Sequence, residues 1–181
     1  SSAASDVYKR QGKYNELQAN KAYFFFDNMM FCIGSDISYV QNDNVLTSVE
    51  QNLLNGEVIY NDGQEKQLSS NSNMQLKQLK WVYHNNTGYI FRGTDNVTIQ
   101  NMSQAGSWKD INATGESGLI DKNVFSVWIN HGLNPENASY QYIVVPDKSI
   151  NAFRDLAEQI DFYIAQNDGS VQAIREGNKY G

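Results

Sequence analysis

Asn, Asp and Gly punctuate this chain at intervals too short for most helices. Asp27-Asn28, Asn55-Gly56, Asn61-Asp62-Gly63, Asn85-Asn86-Thr87, Asn134-Pro135-Glu136-Asn137 and Asn167-Asp168-Gly169 each lie between short runs rich in aromatic or β-branched residues. Such residues tolerate positive φ or bond their own backbone, so they close tight turns between antiparallel strands. Closely spaced turns of this kind predict an antiparallel all-β fold.

The runs between the turns give the strands. Ala22–Phe26 and Met29–Ile33 form the most hydrophobic pair, and Asp27-Asn28 makes them a hairpin. Tyr23, Phe24, Phe25 and Phe26 point to both faces, which implies cover on both sides, as for a central strand pair in a layered sandwich. Val45–Leu54 is expected to pair through an Asn55-Gly56 turn with Glu57–Tyr60. Ser69–Asn73 reads as a surface loop. Leu79–His84 and Gly88–Phe91 form another hairpin, and a third strand follows at Asn96–Gln100 with one face buried and the other wetted. Trp108 sits in a turn, Ala113–Lys122 is a Gly-rich loop, and Val124–Asn130 places Phe125, Val127 and Ile129 on one face with Trp128 on the other. Tyr140–Val145 is closed by Pro146. Ile150, Phe153, Leu156, Ala157 and Ile160 then recur at helical spacing, with Asp147 or Ser149 as N-cap, which predicts one short amphipathic helix. Phe162–Gln166 and Val171–Arg175 end the chain as short strands.

Composition bounds the function. With 181 residues, 40% of them hydrophobic, the chain can build one domain with a core; a second is not expected. A net charge of −6 argues against a nucleic-acid groove or an anionic membrane surface, both of which need clustered positive charge. No apolar run approaches the roughly 20 residues that cross a bilayer. Ser1–Gln11 has neither the basic head nor the apolar middle of a signal peptide, so the export signal was removed or the chain begins in mid-protein. This segment is small, polar and without period, and is expected to stay disordered. It also resembles a translated sequencing-adapter read-through, which would make residues 1–11 non-native and leave residues 12–181 as the folded part.

Reactive constellations are hard to find. His84 and His131 lie far apart without neighbouring ligands, so no metal is expected, and no cofactor motif is present. Ser107, Ser126 and Ser139 lack a nucleophile elbow. Glu50 and Asp110 are not singled out by spacing and read as solvated carboxylates. The single Cys32, between Phe31 and Ile33, reads as a small buried side chain. Trp81 and Trp128 read as core residues, whereas Trp108 is equally suited to a sugar platform and to an internal packing role. Sequons occur at Asn85, Asn96, Asn101, Asn112 and Asn137, a number that so Asn-rich a chain produces by chance.

Function enters through resemblance. KAYFFFDNMMFCIGSDIS, NVLTSVEQNLLNG, WVYHNNTGYIF, GSWKDIN, VWINHGLNPENASYQYIVVPD and VQAIRE resemble, in the same order, the central β domain of polysaccharide lyase family 8, from about Lys21 to Arg175. The FFFD hairpin, GSWKDIN and NASYQY with its preceding HG are the most specific pieces. The resemblance implies a super-sandwich of galactose-mutarotase-like type within an extracellular or periplasmic enzyme. Such an enzyme cleaves uronate-containing polysaccharide, of hyaluronan or chondroitin type, by β-elimination. An amide neutralises the uronate, a Tyr or His takes the C5 proton, and a Tyr protonates the leaving oxygen. These groups belong to an N-terminal α/α-toroid and to a segment before the Lys21 region, so no catalytic residue is carried onto this chain, and His84, His131 and Tyr140 are not promoted. The implied partners are an acidic polysaccharide and the toroid of the same protein, and the chain alone is expected to be inactive. A non-catalytic carbohydrate-binding module and a purely structural sandwich are the alternatives.

Overall fold

The computed structural model describes residues 6–9, 17–104, 122–167 and 172–177. In chain order the strands are β1 (Asp6–Lys9), β2 (Gln18–Phe26), β3 (Met29–Ser38), β4 (Asn44–Leu53), β5 (Val58–Asn61), β6 (Glu65–Gln67) and β7 (Ser72–Leu76). There follow β8 (Trp81–His84), β9 (Thr87–Phe91), β10 (Val97–Gln104), β11 (Lys122–Leu133), β12 (Ala138–Val145), the helix α1 (Ile150–Gln159), β13 (Asp161–Asn167) and β14 (Gln172–Gly177). An eight-stranded sheet runs β1-β2-β3-β12-β9-β8-β5-β6, a four-stranded sheet runs β4-β11-β10-β7, and β13 pairs with β14. The strand pairings are antiparallel. The fold is therefore an all-β antiparallel sandwich with a single short helix among the described residues, as expected.

Two apolar layers hold it together. Cys32, Val58, Val82, Tyr89 and Phe91 of the larger sheet pack against Val97, Ile99, Phe125, Val127 and Ile129 of the smaller one. On the opposite face of the larger sheet, Phe31, Trp81, Tyr83, Ile90, Ile143 and Val145 pack under Phe153, Ala157 and Ile160. Strands β3, β12, β9 and β8 are thus covered on both sides, which is why their sequences run apolar without clean alternation. The helix begins where Ser149 caps it, its side chain accepting from Ala152 N at 3.4 Å, and Asp147 takes a positive φ of 54° instead. Gly88 is required by this packing, because a Cβ there would lie 1.9 Å from Phe153 Cε2.

Turn chemistry succeeds at two hairpins. Asp27 and Asn28 have φ of 47° and 60°, and Asn85 and Asn86 have 48° and 60°, the paired left-handed residues of a type I′ turn. It fails at Asn55-Gly56. Strands β4 and β5 belong to different sheets, so this segment is a crossover. Leu54 N–H donates to the Asn123 carbonyl of the smaller sheet and Asn55 N–H to His84 Nε2 of the larger, and only Gly56 has positive φ. A turn dipeptide reports a local bend, while the partner of the following strand depends on where the core lies.

Further expectations are corrected. The strand after the Trp81 hairpin exists as β10 but lies in the other sheet, and Thr98 on its supposedly wet face is 5% exposed. Ser72 and Asn73, read as loop, begin β7, where half-buried Ser72, Met74 and Leu76 alternate with exposed Asn73 and Gln75. Cover on both sides holds for β3 but not for the end of β2, where Phe25 and Phe26 are 61% and 49% exposed. Asp6–Lys9, expected to stay outside the fold, pairs with Asn20–Tyr23. β13 and β14 appear as expected, while the turn between them, the Gly106–Asn112 turn with Trp108 and Asp110, and most of the Ala113–Lys122 loop lie outside the described residues.

Candidate functional site

A cleft of about 660 Å³ lies between α1 and the β5, β8 and β9 end of the larger sheet. Trp81 and Phe91 lie at its apolar side, and Lys80, Arg92, Arg154, Glu65, Asp95 and Glu158 supply its charges. Arg154 Nε donates to Glu65 Oε2 at 2.8 Å, Nη2 bonds the other carboxylate oxygen, and Nη1 reaches Asn151 Oδ1 at 2.9 Å. Arg92 donates to the carbonyls of Phe91 and Ala157, both at 3.1 Å, tying the helix C-terminus to the sheet. These guanidinium contacts latch the helix. With cations and carboxylates in equal number, the cleft offers a polyanion no net attraction.

His84, Glu50, His131, Tyr140 and Cys32 lie within the sandwich. His84 is 3% exposed; its Nε2 accepts from Asn55 N at 3.0 Å and its ring meets Phe125 at 4.7 Å. Burial lowers its pKa against the opposing pull of Glu50. Glu50, read as a solvated carboxylate, instead turns inward and accepts a hydrogen bond from the buried Tyr89 hydroxyl, whose pKa is raised by burial and by that carboxylate. His131 Nε2 lies 2.7 Å from Thr47 Oγ1 and its ring 5.7 Å from that of Tyr140.

His131 and Tyr140 are the residue types that proton abstraction from a sugar uses, and burial shifts both. Burial, assisted by Lys21, lowers His131 to about 4, and burial raises Tyr140. A general acid or base works best with a pKa near the operating pH, and both groups are driven away from it. Cys32 is buried and its thiol is pushed up to about 11 by burial, so it is not a nucleophile. Among the described residues no three of His, Cys, Asp and Glu gather where they could hold a metal ion.

The aromatic residues divide. Trp81 is a core residue, packed edge-on to Phe153 at 5.4 Å. Trp128, expected in the core, is half-buried on the outer face of the smaller sheet. Its alternation partners Val127 and Ile129 face inward and the pleat forces it out. Ser126 shares that outer face, and Ser139 is exposed on β12. Asn101, a sequon residue, is 4% exposed and so closed to glycosylation. The cleft residues Arg92, Glu65, Asp95 and Arg154 were not foreseen; Glu65 and Arg154 are 89 positions apart and no spacing rule joins them.

The two-sheet sandwich, with His84, Glu50 and Tyr89 turned inward, has counterparts among known proteins. The model of polysaccharide lyase family 8, super-sandwich domain, matches residues 2–157, and the chain belongs to that family. Among its relatives, chondroitinase-AC of Pedobacter heparinus is 38% identical over 133 residues, which cover 74% of this chain and 19% of the relative. Xanthan lyase of Bacillus sp. strain GL1 is 29% identical over 96% of this chain and 20% of its own length, and hyaluronate lyase of Thermasporomyces composti is 27% identical over 91% of this chain and 22% of its own. Of solved structures, that of a chondroitinase AC lyase superposes with a TM-score of 0.79 at 32% identity over 94% of this chain and 25% of that one. The xanthan lyase of Paenibacillus gives 0.83 at 27% identity, covering 96% of this chain and 18% of that one. The chain thus spans about one fifth of the length of the curated relatives it matches.

Proposed function

We infer that this chain is the supporting β-sandwich of a larger polysaccharide lyase, exported to the periplasm or the cell exterior, that cleaves uronate-containing polysaccharide by β-elimination. The observation that carries this reading is the family match across both sheets, joined to relatives whose names include chondroitinase, hyaluronate lyase and xanthan lyase. The proton-transfer groups belong to an α/α-toroid elsewhere in the same protein, and the sandwich forms one wall of the cleft. The driven-apart pKa values of His131 and Tyr140 support that division of labour.

The test is the formation of unsaturated, ultraviolet-absorbing product from hyaluronan, chondroitin or xanthan. Protein extended upstream in the source gene is expected to form it, and the purified 181-residue chain to form none above buffer. Product from the short chain overturns the scaffold role, and an inactive extended protein overturns the lyase reading.

A further inference from the structure

The outer face of the four-stranded sheet has a composition that the scaffold role does not require. Register places Ser48, Trp128, Thr98 and Gln75 in one row across β4, β11, β10 and β7. Two residues along on β11, β10 and β7, and three along on β4 across its bulge, Gln51, Ser126, Gln100 and Asn73 form a second row. The inward set on the same strands is Glu50, Val127, Ile99 and Met74, so the pleat turns both rows outward. In a chain that is 19% charged, neither row holds a charge. A sheet face that merely meets water commonly carries Lys and Glu, which solvate it and discourage edge association.

We propose that this face binds saccharide: it takes a polysaccharide chain by its hydroxyl groups across the four strands, without engaging uronate carboxylates, with Trp128 as the stacking surface. Amide and hydroxyl side chains both donate and accept, which is the pattern that sugar hydroxyls present. Trp128 stands on the central strand β11 between the smaller Ser48 and Thr98, and Thr98 and Ser126 are 5% and 7% exposed. Trp128 is half-buried among these residues, and Ser48, Gln51, Gln75 and Asn73 are exposed on the flanking strands, where their polar groups can meet a ligand. Strands about 4.8 Å apart give a row of about 14 Å, room for roughly three sugar rings of about 5 Å each. The choice of a polysaccharide as ligand rests on the lyase reading above, whereas the face itself is argued from its residues. The charged cleft beside α1 differs in kind, since Arg154 there is occupied by Glu65 and Asn151.

The experiment uses the whole chain with its tryptophans labelled for indole N–H NMR, titrated with a hyaluronan hexasaccharide and with the same hexasaccharide after reduction of its carboxyl groups. Saturable shifts of the Trp128 indole by both ligands are expected, with affinity changing less than about twofold between low and high salt because no ion pair is involved. Trp128→Ala is expected to weaken binding about tenfold or more by removing the stacked ring. Gln75→Ala, on an exposed edge-strand position where folding is not at stake, is expected to weaken it about threefold or more through lost hydrogen bonds. No saturable binding at millimolar ligand, binding untouched by both variants, or binding of the native hexasaccharide alone with steep salt dependence each overturns the proposal. So does a concentration-dependent dimer, abolished by Trp128→Ala, that binds no sugar. An extended protein that forms unsaturated product while this face binds nothing removes the face alone, and sugar binding beside an inactive extended protein removes the lyase reading alone.

Discussion

His131 makes stability depend on pH. In the folded chain it is held at about 4 against an ordinary value of 6.5, first by burial and then by Lys21. Between these values the unfolded chain binds the extra proton, so the stability is complete above about pH 6.5 and is lost as pH falls toward 4. The separation sets a ceiling of about 3 kcal/mol, and because His131 retains some solvent access the expected loss is on the order of 1–2 kcal/mol. Urea midpoints at neutral and mildly acid pH should show the drop, and His131→Gln should flatten it; His84, shifted in the same direction, leaves a remainder. Gly88→Ala belongs to the same scale. Its Cβ would meet the buried Phe153 ring, with no backbone strain involved, so the cost is overpacking, about 2–3 kcal/mol, read by thermal denaturation.

At the scale of elements, α1 closes one side of the larger sheet through a single buried ring. Phe153 is fully buried and lies 5.4 Å from both Trp81 and Tyr83. Phe153→Ala is expected to cost about 3–5 kcal/mol and to shift Trp81 emission to the red as water reaches it. Arg154→Ala removes the bridge to Glu65, but the two side chains are 35% and 38% exposed, and the expected loss is below about 1 kcal/mol. If Arg154→Ala destabilises as much as Phe153→Ala, the latch matters as much as the packing. The helix was legible from sequence because Phe153 and Ala157 repeat at its period and Ser149 caps it. The crossover at Asn55-Gly56 was not, because a hairpin and a change of sheet begin with the same bend. Nor was β7, whose alternation uses Ser72, Met74 and Leu76 among polar residues too weakly apolar to mark a strand.

For the molecule as a whole, apolar surface is left uncovered at one end. Val40, Leu46 and Leu133 are 63%, 54% and 57% exposed, beside loops joined by Tyr39 N to Pro135 O at 3.0 Å and Asn42 N to Asn134 Oδ1 at 2.8 Å. Each such side chain gains about 2 kcal/mol on full burial. The chain alone is therefore expected to self-associate, with sedimentation coefficients rising with concentration, and Leu133→Ser together with Val40→Ser should reduce the effect. Unchanged association in the double variant would place the contact elsewhere, the exposed Phe25 and Phe26 at the end of β2 being the other candidate.

Sequence alone determined the all-β antiparallel class, the type I′ hairpins at Asp27-Asn28 and Asn85-Asn86, the helix at Ile150–Gln159 and the family. Each is written in local terms, as turn residues with positive φ, period-two or period-3.6 patterns, or blocks of residues in a set order. Tertiary structure decided which strands share a sheet, that Glu50 turns inward to Tyr89, that Glu65 meets Arg154, and that Trp128 faces out. Those outcomes depend on which face of each strand finds the common core. A strand pattern states that one face is buried, but the burying partner is chosen by the packing of segments far apart in the chain.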